Sequence, residues 1–483
     1  MPLIAALHLL SAFFLALYGL NSLVLLALYL RHRRAAVPAP ALGSAPTVSV
    51  QLPLYNERYV VERLIEAAVR LDYPRQLLQI QVLDDSDDAT SALTQRLVEH
   101  HRAQGIDIEY RQRAERIDFK AGALREGLRS ARGELIAVFD ADFVPPRDFL
   151  LLTVPYFLDR PRLGLVQARW SHLNAGASLL TRAQSIALDG HFVVEQTARQ
   201  RAGLWMNFNG SGGVWRRTCI DHAGGWQGDT LCEDMDLSYR AQLAGWDCLY
   251  LPQVAAPAEL PTQVQAFKRQ QARWATGSIQ CALKLGPAIL RSSGPLFARV
   301  EGLLHLSNYL IHPLLVLWLI TVLPTLVWDT GGSWPTAYLS LGALGPPLLF
   351  GLAQKELYPD WRKRLLNFPA LVLLGMGIAP NNSLAVARAL LGRPGPFLRT
   401  PKFGAEPRPQ HYSLPWDGSA LGELVLAAYA ALAAAAAAPS SAPLAMFLLV
   451  YSLGLGLVGV WSITHGLPPR LARWVSQRGA PIQ

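Results

Sequence analysis

The 483-residue sequence predicts an α/β domain inserted between transmembrane α-helices, and three observations carry that expectation. Apolar segments of membrane length stand at both ends of the chain, with Arg and Lys clustered beside them. From Thr47 onward, short β-rich runs alternate with helical patterns, the signature of a mostly parallel sheet covered by helices. Two of those runs end directly in acidic groups, Asp84-Asp85 and Asp140-Ala141-Asp142. Hydrophobic residues make up 51% and charged residues 16% of the chain, a balance too apolar for an ordinary soluble protein.

Leu3 to Leu30 is long enough to cross a bilayer, which takes about 20 residues. No Lys or Arg precedes it, whereas Arg31-His32-Arg33-Arg34 follows at once. That order argues against a cleaved signal peptide and places the amino terminus outside. Further spans are expected at Gly302–Trp328, Ala337–Gln354, Leu421–Ala438 and Pro443–Trp461. Their short connections, Asp329–Thr336 and Pro439–Ala442, carry no Lys or Arg. Lys355–Asp417 and the tail with Arg470, Arg473 and Arg478 are rich in them. The positive-inside rule then gives about five crossings and a cytoplasmic central domain, in a plasma or inner membrane. Leu365–Ala379 is apolar but short, is broken by Pro369 and Pro380 and runs into Asn381-Asn382-Ser383, so it is expected to be re-entrant or interfacial. The expected organisation is a first span with its basic flank over 1–34 and a catalytic domain over 46–260. Interfacial helices follow over 261–298, a transmembrane hairpin over 299–354, an interfacial segment over 355–417 and a second hairpin over 420–483.

Within the central domain the pattern predicts strand Val48–Leu54 and a helix over Glu57–Leu71 with Asn56 as N-cap. Strand Gln79–Leu83, helix Ala89–Gln104, strand Asp107–Tyr110, helix Phe119–Ala131 and strand Glu134–Phe139 follow. Ligands of such sheets bind beyond the carboxyl ends of the strands, which is where the acidic groups fall. The net charge of +9 sits largely beside the apolar segments and suits anionic lipid. No basic helix or RNA-binding aromatic motif points to nucleic acid. Cys219, Cys232, Cys248 and Cys281 form no C-x-x-C pair, which argues against zinc or redox chemistry.

The acidic motifs occur in an order suited to sugar transfer from a nucleotide donor. Asp140 and Asp142 follow a buried run, and a hard cation such as Mg2+ or Mn2+ takes oxygen ligands and bridges phosphates with few protein groups. Asp84 or Asp85 is a candidate contact to the nucleoside, with Tyr55 and Glu57 facing the same crevice. Lys120 opens a helix where phosphate oxygens could meet backbone N–H groups and an ammonium. Asp234, preceded by Glu233, is the candidate general base for the attacking hydroxyl, although an acidic first helical turn is favoured by the macrodipole alone. Asn209-Gly210-Ser211 can approach a ligand closely, or be a simple turn. In Gln270-Gln271-Ala272-Arg273-Trp274, Arg273 can fork onto a diphosphate and Trp274 can present a flat face to an acceptor ring.

With these residues in place, the sequence resembles the membrane-embedded inverting family 2 glycosyltransferases, the group of cellulose, mannan and hyaluronan synthases. Their D, D-x-D, T-E-D and Q-x-x-R-W series stands here as Asp84-Asp85, Asp140-Ala141-Asp142, Cys232-Glu233-Asp234 and Gln270–Trp274. Val166–Trp170, Phe208–Gly212 and Glu233–Leu237 look most like the mannan and glucomannan synthases. Phe397-Leu398-Arg399-Thr400-Pro401-Lys402 is similar to the gating loop F-x-V-T-x-K, with Arg399 in place of Val. The resemblance implies a GT-A (Rossmann-like) domain and a UDP- or GDP-sugar donor, UDP-glucose or GDP-mannose first among them. It implies a divalent metal and a β-linked product. It also places Gln270 and Arg273 at the diphosphate, and Trp274, Asn209, Gly210, Ser211 and Glu233 at the acceptor.

The leading expectation is extension of a β-linked, β-1,4 polysaccharide. Transfer of one sugar to a membrane lipid keeps the same chemistry with another acceptor. A nucleotide-binding transporter would need ionisable residues along its spans, and the expected spans hold almost none.

Overall fold

The computed structural model describes residues 2–34, 38, 43–328, 341–393, 402 and 419–464. Its centre is a seven-stranded mixed sheet: β1 (Val48–Leu54), β2 (Leu78–Asp84), β3 (Ile108–Gln112), β4 (Leu135–Val138), β5 (Leu163–His172), β6 (Gly213–Arg216) and β7 (Asp247–Ala258). The spatial order is β3-β2-β1-β4-β6-β5-β7. β1 to β4 run parallel, β6 is antiparallel to both neighbours, and β5 pairs with β7 in parallel. The expected α/β fold is therefore present, with one reversed strand in the middle.

Both faces of the sheet are covered. Val48, Val50, Leu52, Ile80 and Val82 pack beneath helix Val61–Val69. On the opposite face, Ser49, Gln51, Gln79 and Gln81 form a buried polar ladder. It closes on Ser130 and the Gly127 carbonyl at the end of helix Phe119–Leu128, so none of its amide N–H groups is left without an acceptor. Helix Val61–Val69 begins later than expected. Asn56 takes a left-handed conformation (φ 57°) and exchanges hydrogen bonds with Asp87 instead of capping a helix.

Five helical runs have the length and composition to cross a membrane: Pro2–His32, Asn308–Val327, Trp361–Leu390, Ser419–Ala437 and Ala442–Thr464. Two differ from expectation. The run expected over Gly302–Trp328 is broken, because helix Leu296–Leu306 is separate and ties His305 to Tyr239 at 2.7 Å. The segment around Leu365–Ala379 extends to a 30-residue run, because Pro369 and Pro380 stand in the first turn of their helical segments, where the missing N–H is not needed. Of the expected span Ala337–Gln354, residues 337–340 lie outside the described residues, and the remainder begins helix Gly345–Leu357. Midway along the 30-residue run, Ala370 and Leu374 pack on Leu180 and Ala183 and on Val458 of helix Ala442–Thr464. Near its end, Ala385, Val386 and Ala389 pack on Ala275 and Ile279 of helix Val264–Arg291. The run thus rests both on helices continuous with the α/β domain and on the apolar helix Ala442–Thr464.

Candidate active site

A cleft of about 1100 Å³ opens at the carboxyl ends of β1, β2 and β4. It gathers Tyr55, Glu57, Asp85, Lys120, Asp140, Asp142, Asn209, Gly210, Glu233, Asp234, Gln270, Arg273, Trp274 and Lys402, though they lie far apart in the chain. Asp84 and Ser211 are not on its wall. Asp84 is buried and accepts from the Ser86 N–H and the Tyr110 hydroxyl, both at 2.9 Å. Its contribution is to fix the loop that presents Asp85. Ser211 is also buried, and its hydroxyl oxygen accepts from the Asp140 N–H, so it braces the D-x-D turn from behind. Phe397 and Thr400 lie outside the described residues.

The carboxylates beyond β2 and β4 each meet a cation. The Lys120 ammonium lies 2.5 Å from Asp140 and 3.8 Å from Glu233, and donates to the Gly210 carbonyl. Burial alone would depress Lys120, but Asp140 and Glu233 outweigh it and raise its pKa. Lys402 lies 2.5 Å from Asp142 and donates to the Glu259 carbonyl. Arg113 forks onto Asp85. Arg116 stacks 3.4 Å over the Tyr55 ring at the cleft wall.

Asp234 is placed differently. It stands in the first turn of helix Glu233–Leu243 and accepts from the Met235 N–H. Among the described residues it has no cation within ion-pair distance. Burial first, then the charge of Glu233, pushes its carboxyl up to about 7, against the opposing pull of Lys120. Two close approaches hold it there. Gly210 has φ +83°, and a Cβ on it would stand 2.9 Å from Asp234 Oδ2. A Cβ on Gly277 would clash with Cys232 Sγ, so helix Val264–Arg291 reaches the turn before Asp234 only because Gly277 lacks a side chain. That contact carries Gln270, Arg273 and Trp274 into the cleft. Asp236, two residues on, is buried between Arg240 and Lys284 and is occupied structurally.

Asn209 is clamped on three sides. Its backbone N–H donates to Gln167 Oε1, its side-chain oxygen Oδ1 accepts from Gln196, and its side-chain Nδ2 lies 3.0 Å from His191 Nε2. The other nitrogen of His191 bonds Glu195 at 2.9 Å. His191 and Glu195 belong to a π-helical turn, Gly190–Glu195, a feature often found at functional sites. Sequence reasoning missed these supports, as well as Arg113, Arg116 and Phe143, and it gave Trp170 no role. Trp170 lines the cleft, stands edge-on to Phe143 and donates its indole N–H to the Ser211 carbonyl. The available signal was the run Arg111, Arg113 and Arg116 just before Lys120, a concentration of cations opposite an acidic loop.

Residues 45–277 match the family described as glycosyltransferase like family 2. A probable glucomannan 4-beta-mannosyltransferase of Oryza sativa subsp. japonica is 47% identical over 241 residues, which are 49% of this chain and 42% of the relative. A glucomannan 4-beta-mannosyltransferase of Arabidopsis thaliana is 40% identical over 283 residues, 57% of this chain and 53% of the relative. The chain thus spans about half the length of these curated relatives. A mannosyltransferase from Pyrobaculum calidifontis, solved with GDP-Man and Mn2+, superposes with TM-score 0.56 at 23% identity, covering 81% of this chain and 99% of that one. That likeness establishes the shared GT-A fold. Residues 45–277 of this chain are a glycosyltransferase family 2 domain, carried between helices long and apolar enough to span a membrane.

Proposed function

We propose that the chain transfers mannose from GDP-mannose onto a growing β-1,4-linked polysaccharide at the membrane, with inversion at the anomeric carbon. The observation that carries the chemistry is Asp234: one carboxyl, raised to about 7 and without a cation partner among the described residues, in the same cleft as paired carboxylates and cations. The names of the relatives support the sugar, the linkage and the polymeric product, and the neighbour's bound GDP-Man supports the donor.

In this reading the acceptor hydroxyl gives its proton to Asp234 as its oxygen attacks the anomeric carbon, and the bond to the diphosphate breaks on the opposite side. One base and one displacement give inversion. Lys120 and Arg273 receive the departing diphosphate, Tyr55 and Asp85 border the nucleoside, and Trp274 with Asn209 orients the acceptor. Asp140 and Asp142 form an all-oxygen donor pair, and among the described residues no third His, Cys, Asp or Glu joins a metal-holding group. That suits Mg2+ or Mn2+ sharing its coordination with phosphate oxygens. A cation held by these two residues would offset charge on the diphosphate.

The same reading places the domain on the cytoplasmic side. The run Trp361–Leu390 lies along that side as an interfacial element, supported by its packing on helices continuous with the domain. Incubation of the purified full chain with labelled GDP-mannose, and separately with UDP-glucose, tests the proposal. A ladder of alkali-stable oligosaccharides from GDP-mannose is expected. Turnover only with UDP-glucose would overturn the donor, and one solvent-extractable glycolipid would overturn the polymeric acceptor.

A further inference from the structure

A second, half-open cavity lies where the α/β domain meets the apolar run Trp361–Leu390. One wall comes from the Ala175-Gly176 loop and helix Leu179–Asp189, and the other from the short helix Trp361–Arg364 and Asn367. Arg182, Lys363 and Arg364 line it against a single carboxylate, Asp360. Arg364 is partly engaged: it donates to Gln354, stacks 3.6 Å over Tyr358 and lies 3.9 Å from Asp189. Arg182 reaches only the Gly176 carbonyl, at 3.5 Å, and Lys363 has no ion-pair partner among the described residues. Two cations are therefore available at the mouth of a walled cavity.

The surroundings identify what those cations would meet. Leu366, two residues beyond the cavity-lining Arg364, is 80% exposed, and Leu179, which opens the helix of the other wall, is 44% exposed. The apolar helix Phe368–Gly377 runs on from the same rim. A free phosphate would be served by the cations alone, whereas exposed leucines beside the cavity on the elements that form both walls fit a ligand with a charged head and hydrocarbon tails. Basic recesses beside membrane helices bind anionic head groups, at about 1 kcal/mol per Lys or Arg.

We propose that this cavity binds the phosphate head group of an anionic phospholipid. Arg182 and Lys363 contact the phosphate oxygens, and the acyl chains lie along Leu179 and Leu366. The site has a route to the cleft, because helix Leu179–Asp189 continues directly into the π-helical turn whose His191 clamps Asn209.

The test is native mass spectrometry of the full chain in detergent, titrated with phosphatidylglycerol and, in parallel, phosphatidylcholine. Wild type is expected to retain phosphatidylglycerol preferentially. The double variant Arg182→Gln/Lys363→Gln should lose roughly 30-fold in that preference, the effect of two cations. Gly176→Glu gives a second reading, since a Cβ there meets nothing within 4 Å and the new carboxylate would repel the head group. It should lose the preference while melting at the wild-type temperature in lipid-free detergent. Arg129→Gln, on the far side of the domain, should bind as wild type does. Unchanged preference in both cavity variants would overturn the site. Displacement of the lipid by soluble glycerol 1-phosphate at equal concentration would overturn the lipid as occupant in favour of a free phosphate ester.

Discussion

The two halves of the cleft treat the same functional group in opposite ways. Beyond β2 and β4, Asp85, Asp140 and Asp142 each have a cation in contact, from Arg113, Lys120 and Lys402. Across the cleft, Asp234 has Glu233 beside it and its carboxyl rises to about 7. A helix amino terminus ordinarily lowers a carboxyl pKa, so burial and a like charge have overcome the dipole here. Paired carboxylates can exchange one cation for another when a charged donor arrives. A carboxyl poised near neutrality can take up a proton during the reaction and release it afterwards. In the proposed reading, the partnered carboxylates form the donor side and Asp234 the acceptor side.

The sharpest way to break that comparison is to remove basicity from one side only. Asp234→Asn keeps the side-chain shape, and turnover is expected to fall by about 10²-fold or more with GDP affinity unchanged, as checked by initial rates and calorimetry. Near-normal turnover would remove Asp234 as the base, and Glu233 would then be the residue to test, because Asp236 is committed to Arg240 and Lys284. Asp142→Asn tests the other half. Both turnover and Mn2+-dependent GDP binding are expected to fall, the latter by roughly tenfold, in the range of a lost charge-assisted contact. EDTA should mimic that variant in wild type, and excess Mn2+ or Mg2+ should reverse EDTA. Full activity in metal-free buffer would count against metal binding by Asp140 and Asp142.

The halves also differ in how far the sequence reveals them. On one side, β1 and β2 alternate apolar with polar residues, β4 is a continuous apolar run, and β2 and β4 end where acid begins, so strand ends and candidate ligand positions are visible together. Val48–Leu54 is found with the bounds expected of it. The acceptor side depends on irregular pieces. β6 is four residues long and reversed, too short for alternation to register. The π-helical turn that supports Asn209 has no composition cue. Asp118 and Phe119 both have positive φ, a strained entry to the Lys120 helix that no turn residue announces. Among the apolar helices, length and charge placement locate the terminal pairs within two or three residues. The prolines at 369 and 380 do not end the helical run, since each stands at the first turn of its helical segment. One charge in those spans also escapes a hydropathy reading: Glu423 is buried and paired with Lys268 at 2.5 Å, tying a span to the helix that carries Arg273.

A third prediction sharpens the comparison through pH. If ionised Asp234 is the base, turnover rises with pH up to about 7 and levels off above it, falling by about tenfold per unit on the acid side. Glu233 raises the Asp234 pKa, so Glu233→Gln should move the acid limb to lower pH. At pH 6 the variant should retain a larger fraction of its own plateau rate than wild type does. A limb that stays in place, with only the plateau altered, would assign the titration to another group.

The smallest expected effect concerns Arg116, which belongs to the donor half but pairs with a ring. Its guanidinium lies 3.4 Å over Tyr55 and 5.0 Å from the Phe119 ring, and burial lowers its pKa. A desolvated cation over an aromatic face contributes about 1–2 kcal/mol, and here it fixes the ring that borders the nucleoside in the proposed reading. Arg116→Ala should therefore weaken GDP binding by roughly 5- to 30-fold. Turnover at saturating donor should remain within about twofold of wild type, because uniform binding is lost and no transition-state contact is. Arg116→Lys should recover little, since an ammonium cannot stack as a planar guanidinium does. A loss in saturated turnover comparable to that of Asp234→Asn would place Arg116 at the reacting centre, and the donor and acceptor halves would then share the charge of the transition state.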